Sequence, residues 1–431
     1  MIQVIPLFLW AYLGLHLVQA DTASLRQKFS ALKIDAVFPG DPNYVKFSTP
    51  FNKRFTYQPA AIVFPNNTNA VADSVKVGVG EKLFISPRSG GHSYAAYGLG
   101  GKNGALVVDL QRIKQIQVDA SGVAVIGTGN RLGDIALSLN SQGRRALPHG
   151  VCPYVGISGH SSFGGYGFTS RQWGLTLDTI IGHEIVLANG SIITTSKEVN
   201  PDLFWALRGA GSSFGIQTAI RLQTKTAPSQ ATNYAYDWEF TESELANALI
   251  KLQAYCMTDL PAQLGVDLTA EHDTFYAKSI TTPQSAPMSN SSILAFSKLL
   301  INQGRASNTS WFVQVELYGG KNSAITAVGA DETAFAQRAI FFTIQFYASS
   351  SNFAPPYPAA GFTLLDNMVD SIVNNNPSGW KYGAYANYVD DRLSPAQWKS
   401  LYFNNHYQRL TQVKGIYDPQ NVFFYPQSIT E

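Results

Sequence analysis

The sequence is poor in cysteine and in charged residues. It contains only two cysteines, Cys152 and Cys256, and charged residues make up 14% of its 431 residues, with a formal net charge of +2. Two cysteines cannot form the disulfide framework that is typical of small secreted domains. No block of lysine or arginine stands out, and nucleic acids and anionic lipids bind to clustered positive charge. We therefore expect neither a nucleic acid nor a membrane surface as a partner.

Common nucleotide-binding and metal-binding motifs are missing as well. Gly127-Thr128-Gly129 lacks a third glycine at Rossmann spacing, and Gly101-Lys102 is followed by Asn103, where a Walker A loop has serine or threonine. No Cys-x-x-Cys or His-x-x-x-His pair indicates zinc. The sequence therefore predicts no metal site, and any nucleotide cofactor must be held by other segments.

The first twenty residues, 1–20, have the pattern of a secretory signal peptide. An apolar run, Ile2–Val18, ends in Val18-Gln19-Ala20, which suits cleavage after Ala20. An uncleaved membrane anchor is the alternative. Later in the chain, no uncharged apolar run reaches the roughly 18 residues that a membrane span needs. Four Asn-x-Ser/Thr sequons support a secreted glycoprotein. They begin at Asn66, Asn189, Asn290 and Asn308.

Mixed strand and helix patterns predict an α+β fold. Up to Thr224, short runs rich in valine and isoleucine alternate with helical periodicity. The composition changes at Ala227-Pro228-Ser229, which predicts a domain boundary. Beyond it, alternating apolar residues predict a strand at Trp311–Leu317, and two further strands are predicted at Phe341–Tyr347 and Tyr385–Val389.

Two glycine-rich segments carry the strongest signal for chemistry. The first, Pro87–Tyr94, reads P-R-S-G-G-H-S-Y and follows a predicted strand, and the second runs over residues 150–167. Glycine adopts positive φ freely and lets backbone N–H groups approach an anion such as a diphosphate. A tight surface turn with a chance histidine is the alternative for the first segment. A flexible loop is the alternative for the second, but its interleaved apolar residues favour burial.

These segments resemble the berberine bridge enzyme-like branch of the vanillyl-alcohol oxidase flavoprotein superfamily. The first resembles the loop whose histidine bonds to the flavin 8α-methyl, here His92, and the second resembles the loop whose cysteine bonds to flavin carbon 6, here Cys152. The resemblance continues through Trp173–Asp178, Asp202–Gly211 and Tyr417–Ile429. It implies FAD held by two covalent bonds. A Cys152–Cys256 disulfide, otherwise the default for a secreted chain, is then not expected.

The resemblance also implies a domain organisation and a set of cofactor-binding residues. It implies a two-subdomain FAD-binding domain at residues 21–226, an antiparallel-sheet substrate domain at residues 227–385, and a C-terminal segment, 386–431, that returns to the FAD-binding domain. The implied cofactor-binding residues are His92, Cys152, Arg88, Ser89, Gly90, Gly91, Ser93, Ser158, Gly159, Gly164, Gly165, Gly167 and Gln427.

Within that family, the sequence resembles fungal oligosaccharide oxidases of the glucooligosaccharide oxidase type. Tyr388 matches their catalytic base, and Glu316 matches its carboxylate partner, which is commonly an aspartate. The implied substrate-binding residues are Tyr94, Tyr166, Gln314 and Gln345. The implied reaction oxidises the anomeric hydroxyl of a saccharide to a lactone and reduces dioxygen to hydrogen peroxide. The resemblance further implies a secreted enzyme, which we expect to be a monomer.

One departure from the family pattern concerns the middle of the chain. Family members carry several dozen more residues before the segment that contains Gln314, whereas here Gly265–Leu268 leads almost directly into Glu271–Tyr276. We therefore expect a shortened substrate domain. Two further hypotheses stay open: a flavin oxidase of a secondary-metabolite alcohol, and a flavoprotein whose catalysis is impaired by the shortening.

Overall fold

The computed structural model of the chain describes residues 22–231, 236–257 and 272–430. The predicted signal peptide and the Gly265–Leu268 segment lie outside the described residues. Helices and strands alternate along the described chain, and the strands form four sheets. The predicted α+β class is therefore confirmed. None of the helices within these ranges is long and apolar enough to cross a membrane.

The first sheet positions the first glycine-rich segment. Its four strands have the order β1-β2-β4-β3, with β2 and β3 parallel to β4 and β1 antiparallel to β2. Strands β2 and β4 are buried at every residue, as parallel strands covered on both faces are. The elements are α1 (Thr22–Ala31), β1 (Asp35–Val37), α2 (Tyr44–Ser48), β2 (Ala61–Phe64), α3 (Thr68–Gly80), β3 (Ile85–Arg88) and β4 (Leu106–Asp109). The glycine-rich segment continues from the end of β3.

The second sheet is antiparallel and carries the second glycine-rich segment beside it. Its order is β5-β6-β10-β8-β9, and a two-stranded sheet pairs β11 with β7. The elements are β5 (Ile116–Val118), β6 (Val123–Gly127), α4 (Leu132–Ser141), β7 (Arg145–Ala146), α5 (Ile157–Ser162), α6 (Ser170–Trp173), β8 (Ile180–Val186), β9 (Ile192–Thr195), α7 (Pro201–Ala210), β10 (Ile216–Gln223) and β11 (Lys225–Thr226). Helix α5 lies within the glycine-rich segment.

The third sheet has three antiparallel strands in the order β12-β14-β13. Apolar residues on one of its faces, among them Ile344 and Phe346, share a core with helices α8, α9 and α11. The alternate residues project from the opposite face, because successive strand residues alternate sides. The elements are α8 (Glu242–Cys256), β12 (Phe275–Pro283), α9 (Asn290–Leu299), β13 (Ser310–Leu317), α10 (Ala324–Ala327), β14 (Ile340–Ser349) and α11 (Ala359–Val373). The strands predicted within β13 and β14 are confirmed.

The C-terminal segment packs against the first two sheets and contains α12 (Pro395–Trp398) and α13 (His406–Tyr417). The fully buried ammonium of Lys414 donates to the Ser213 carbonyl oxygen at 2.6 Å and to Asp418 Oδ2 at 2.7 Å. The Ile85 N–H of β3 donates to the Val422 carbonyl oxygen at 2.8 Å. A paired buried charge at its centre fixes this segment to the rest of the molecule.

The predicted strand at Tyr385–Val389 is wrong. This segment forms a turn in which the Tyr388 N–H donates to the Tyr385 carbonyl oxygen at 2.9 Å. The Tyr385 N–H donates to the Ser279 hydroxyl at 2.9 Å, so a side chain takes the bond that a neighbouring strand would provide. The turn, which we call the tyrosine turn, holds Tyr388 beside the third sheet.

Candidate active site

A cavity of about 720 Å³ lies between the two glycine-rich segments and the third sheet. Its volume is in the range of small-molecule and cofactor sites. Most of the residues predicted from the sequence line it. These are Arg88, Ser89, Gly90, Gly91, His92, Ser93, Tyr94, Cys152, Ser158, Gly159, Tyr166, Gly167, Gln314, Glu316, Gln345, Tyr388 and Gln427.

The two glycine-rich segments cross at Gly90 and Gly156. A Cβ atom added to Gly90 would lie 2.3 Å from the Gly156 nitrogen, and one added to Gly156 would lie 2.1 Å from the Gly90 nitrogen. No residue with a side chain fits at either position without moving backbone. Gly91 has a φ of 73°, which lets the chain turn directly before His92. The crossing therefore brings His92 and Cys152 to the same cavity.

His92 and Cys152 both line the cavity, as a flavin with two attachments requires. The His92 ring stacks on Phe51 with centroids 3.9 Å apart, which orients the imidazole. Cys152 and Cys256 form no disulfide with each other. In the second segment, the Gly150 N–H donates to His160 Nε2 at 3.1 Å, and burial lowers the pKa of His160 to about 3. His160 is thus a neutral acceptor that fixes the backbone near Cys152.

Three of the predicted cofactor-binding residues use their side chains to hold the first segment in place. Arg88 Nε donates to Asp109 Oδ2 at 2.5 Å, and both side chains are buried. The Ser89 hydroxyl donates to the Thr128 carbonyl oxygen at 2.5 Å. The Ser93 hydroxyl accepts from the Tyr97 N–H at 3.2 Å. These residues border the cavity while their side chains bind protein atoms.

Gly164 and Gly165 do not line the cavity and lie behind it. Both have positive φ, at 135° and 86°. The Gly165 N–H donates to the Tyr385 hydroxyl at 3.0 Å, and a Cβ on Gly164 would lie 2.9 Å from the Tyr385 ring. Gly167, which does line the cavity, leaves no room for a Cβ beside the His149 carbonyl oxygen. The glycines of this stretch therefore allow close contact with the tyrosine turn.

The opposite wall of the cavity holds a tyrosine and a carboxyl group in direct contact. The Tyr388 hydroxyl donates to Glu316 Oε1 at 2.6 Å, and Gln314 Nε2 donates to the same oxygen at 2.7 Å. Burial raises the pKa of Glu316 to about 8, although both hydrogen bonds act to lower it. Burial and the nearby Glu316 charge raise the pKa of Tyr388 well above its usual value of about 10.

The predicted substrate-binding residues surround this pair. Gln314 and Gln345 are directly opposed on β13 and β14. Gln345 Nε2 donates to the Tyr94 hydroxyl at 3.0 Å, and the Tyr94 ring lies nearly parallel to the Tyr388 ring with centroids 6.1 Å apart. Tyr166 is buried, and its hydroxyl donates to the Leu317 carbonyl oxygen at 3.0 Å. Tyr166 can therefore contact a ligand only through its ring.

Gln427 joins the C-terminal segment to the cavity. Its Nε2 donates to the Asp390 carbonyl oxygen at 2.7 Å. Its Oε1 atom is buried at the cavity and has no hydrogen-bond partner within the described ranges. A flavin ring presents a hydrogen-bond donor at its pyrimidine edge, so this acceptor suits a bound flavin.

Sequence reasoning missed several residues that line the cavity. Tyr385 accepts hydrogen bonds from Gly165 N–H and from Asn387 Nδ2, the latter at 2.8 Å. Phe312, 44% exposed, stacks on Tyr347 with centroids 4.8 Å apart. The sequence predicts strands at these residues, but it does not show which side of each strand faces a site. In the described part of the chain, no group of three histidine, cysteine or acidic side chains is arranged to hold a metal ion.

Comparison with known proteins places the chain in a family. A model for an FAD binding domain matches residues 59–196, and a model for berberine and berberine-like proteins matches residues 384–430. Glucooligosaccharide oxidase of Sarocladium strictum is 35% identical over 442 residues, which cover 87% of this chain and 88% of that protein. The chain belongs to the berberine bridge enzyme-like family of FAD-linked oxidoreductases.

Other members of the berberine bridge enzyme-like family match at similar levels. FAD-linked oxidoreductase dpmaF of Metarhizium anisopliae is 32% identical over 479 residues, which cover 96% of this chain and 93% of that protein. This alignment is longer than the 431 residues of the chain, so that relative contains residues with no counterpart here. A solved structure concerning the 6-S-cysteinyl, 8α-N1-histidyl FAD of Acremonium strictum glucooligosaccharide oxidase has a TM-score of 0.86 and 31% identity, covering 94% of this chain and 99% of that one.

Membership in the berberine bridge enzyme-like family makes FAD the cofactor, and the cavity suits it. The close backbone contacts at Gly90 and Gly156, the side chains of His92 and Cys152, and the unpartnered Gln427 Oε1 all face one space. The protein is therefore an FAD-dependent oxidoreductase, and the space between the glycine-rich segments and the third sheet is its candidate cofactor site.

Proposed function

We propose that this protein is a secreted oxidase that converts the anomeric hydroxyl of an oligosaccharide to a lactone and produces hydrogen peroxide. One observation carries the proposal: the hydrogen-bonded Tyr388–Glu316 pair faces the same cavity as His92 and Cys152. The relatives named glucooligosaccharide oxidase support a saccharide as the substrate. An intact proton-accepting pair also argues against the hypothesis of a catalytically impaired protein.

His92 and Cys152 are the proposed points of covalent attachment for FAD. The solved relative with a 6-S-cysteinyl, 8α-N1-histidyl FAD supports one bond to each side chain. When bound, the flavin accepts a hydride and passes the electrons on to dioxygen. Attachment to His92 and Cys152, which lie on separate segments, would hold the flavin at two points, so that the protein need not enclose it. This arrangement suits a long substrate that extends beyond the site.

Tyr388 and Glu316 are proposed to remove the proton of the anomeric hydroxyl. Tyr388 alone is a poor base, because its pKa is raised well above 10 and the phenolate is therefore rare. Glu316 has a pKa of about 8 and accepts the hydrogen bond of the phenol. Tyr388 can thus take the proton of the substrate while its own proton passes to the Glu316 carboxylate. The relay needs ionised Glu316, so activity should rise with pH toward 8.

The polar groups of the sheet suit sugar hydroxyls. Gln314 and Gln345 use their amide N–H groups on Glu316 and Tyr94. Their carbonyl oxygens are left to accept from hydroxyl donors. Phe312 is partly exposed beside them and offers a flat apolar surface for the C–H face of a pyranose ring. A saccharide therefore matches this wall better than a purely apolar alcohol does.

The proposal of secretion is supported by the surface position of the four sequons. Asn66, Asn189, Asn290 and Asn308 are all exposed, so a glycan at each one would project into solvent. A monomer remains our expectation for the oligomeric state. Glycosidase treatment of the secreted protein should lower its mass in discrete steps that correspond to the occupied sequons.

Mass spectrometry of the purified, denatured protein tests the cofactor assignment. The flavin mass should stay attached, and proteolysis should place it on the peptides that contain His92 and Cys152. Peroxide release should then be measured with cellobiose, maltose, xylobiose and an aromatic alcohol. Turnover of a disaccharide supports the proposed substrate class. Turnover of the aromatic alcohol alone would favour the secondary-metabolite alternative, and a flavin lost on denaturation would overturn the covalent assignment.

A further inference from the structure

Three polar atoms near the Tyr388–Glu316 pair lack hydrogen-bond partners in the described ranges. They are Glu316 Oε2, Thr343 Oγ1 and Tyr318 Oη. Glu316 is 2% exposed, and Thr343 and Tyr318 are fully buried. Buried polar groups in folded proteins are nearly always paired with protein or with an ordered water, because an unpaired group has lost its hydration without compensation.

These atoms belong to one face of the third sheet. Thr343 on β14 is directly opposite Glu316 on β13, and opposed side chains of neighbouring strands have Cβ atoms about 4.5–5.5 Å apart. Tyr318 follows Glu316 by two residues, just past the end of β13. The Glu316 charge is among the causes that raise the pKa of the Tyr318 phenol, so the two groups lie close enough to interact.

The residues Thr343 and Tyr318 lie outside the lining of the cavity. Glu316 lines the cavity, whereas Thr343 and Tyr318 do not. Both hydrogen bonds to Glu316, from Tyr388 and Gln314, use Oε1 and leave Oε2 without a donor. We therefore expect neither the cofactor nor the substrate to contact these two hydroxyl groups.

We propose that one buried water molecule binds between Glu316 Oε2, Thr343 Oγ1 and Tyr318 Oη, and that Thr343 and Tyr318 thereby act as positioning residues for the carboxyl partner of Tyr388. The expected effect on kinetics rests on the proposed function. Water can accept from both hydroxyls and donate one hydrogen to the carboxylate, so each of the three protein atoms gains a partner.

No hydrogen bond joins the nearby hydroxyl groups of Tyr166 and Tyr385 to Glu316 Oε2 within the described ranges. The Tyr166 hydroxyl donates to the Leu317 carbonyl oxygen at 3.0 Å. The Tyr385 hydroxyl accepts from Asn387 Nδ2 at 2.8 Å and from Gly165 N–H at 3.0 Å. The titratable groups that face Glu316 are the phenols of Tyr166, Tyr318, Tyr385 and Tyr388. Their pKa values are all raised, so none of them ionises in the range where Glu316 does.

We expect the bound water to change the pKa of Glu316. Its donated hydrogen bond stabilises the carboxylate and lowers the pKa of Glu316 relative to burial alone. Thr343→Val keeps the shape of the side chain and removes one hydroxyl that holds the water. We expect the ascending limb of kcat/KM against pH to move to higher pH by about one unit in Thr343→Val. Tyr318→Phe should move it in the same direction, with unchanged flavin content in both variants.

Crystal structures of the flavin-containing wild type and of Thr343→Val give a readout that does not depend on turnover. Density for a water within hydrogen-bond distance of all three atoms, lost in Thr343→Val, is the expected result. A direct contact between Thr343 Oγ1 and Glu316 Oε2, or no ordered water, would overturn the proposal. Failure of the proposed function would show separately, as wild-type enzyme that releases no peroxide from any saccharide.

Tyr357→Phe is the matched control for the kinetic experiment. Tyr357 also has a buried hydroxyl without a partner in the described chain, but it packs against Gly361 and does not line the cavity. Its variant should leave the pH profile unchanged. A Thr343→Val enzyme with full flavin content and the wild-type pH profile contradicts the positioning role, even if the water is seen.

Discussion

The two walls of the cavity are built by different means. The wall that contains Pro87–Tyr94 and residues 150–167 depends on backbone contact, because a methyl group added to Gly90, Gly156 or Gly167 would collide with main-chain atoms. The sheet wall depends on side chains that hydrogen-bond to one another, such as Gln345 with Tyr94 and Gln314 with Glu316. We expect the first wall to determine the position of the cofactor and the second to determine the positions of protons and substrate hydroxyl groups.

Substitutions on the two walls are therefore expected to impair the enzyme in two different ways. A side chain added at the crossing of the two glycine-rich segments would collide with main-chain atoms, which can move only at a high energetic cost. We therefore expect an almost complete loss of cofactor binding. A change on the sheet wall removes one hydrogen bond or one charge, so we expect graded effects on turnover with the cofactor still attached. The following variants compare the two walls in order of expected effect.

The largest effect is expected from Gly90→Ala. The new Cβ would lie 2.3 Å from the Gly156 nitrogen, and separating the two segments also separates His92 from Cys152. We expect almost complete loss of bound flavin, measured as flavin absorbance per mole of protein. Gly80→Ala is the control, because no atom lies within 4 Å of its added Cβ. Normal flavin content in Gly90→Ala would contradict the backbone-contact description of this wall.

Tyr388→Phe should abolish most turnover while leaving the flavin attached. It removes the hydroxyl that lies 2.6 Å from Glu316 Oε1. Loss of a general base lowers kcat by about 10²–10⁴-fold. Steady-state peroxide release with cellobiose measures this change, and mass spectrometry of denatured protein checks that the flavin remains. A variant with near wild-type kcat would remove Tyr388 from the proposed chemistry.

Glu316→Gln should change how stability depends on pH. The folded-state pKa of Glu316, about 8, lies above its ordinary value of 4.5, so the folded protein binds the proton more tightly. This group therefore favours folding fully below pH 4.5, and its contribution is lost as pH rises through about 8, on the order of a few kcal/mol. Melting temperatures at pH 5 and pH 8 should differ less in Glu316→Gln than in the wild type.

The smallest effect is expected from Gln345→Leu. The change removes the hydrogen bond from Gln345 Nε2 to the Tyr94 hydroxyl and one acceptor for substrate hydroxyls. We expect KM for a disaccharide to rise about tenfold, which corresponds to one net hydrogen bond, with kcat nearly unchanged. Gln253→Leu, which changes a buried glutamine on α8, is the control for loss of packing. A large fall in kcat instead would place Gln345 nearer to the reacting atoms.

The same contrast explains how much could be predicted from the sequence. The glycine wall is formed by two continuous segments, so its pattern can be followed along the chain, although Gly156 was not among the predicted residues and Gly164 and Gly165 lie outside the cavity. The sheet wall joins β13, β14 and the tyrosine turn, which are distant in sequence. Its strands were predicted, but the register that sets Gln314 opposite Gln345, and Thr343 opposite Glu316, is a tertiary property.

The tyrosine turn shows why part of the site was missed. Tyr385, Tyr388 and Val389 are residue types that are common in strands, which agrees with the strand predicted from the sequence. Bonds from Tyr385 to the Ser279 hydroxyl and from Tyr388 to the Tyr385 carbonyl oxygen bend the segment instead. The Tyr385 hydroxyl then meets Gly165, a contact between residues that are 220 positions apart. Local periodicity carries no information about such a partner.

The attachment of the C-terminal segment through Lys414 has a consequence for biosynthesis. The ribosome makes His92 and Cys152 long before it makes Tyr388 and Gln427, which belong to the segment that Lys414 fastens in place. A nascent or prematurely terminated chain has the anchoring side chains but not the reactive phenol. Under the proposed function, peroxide release requires the C-terminal segment, so we expect it to begin only after translation of the chain has ended.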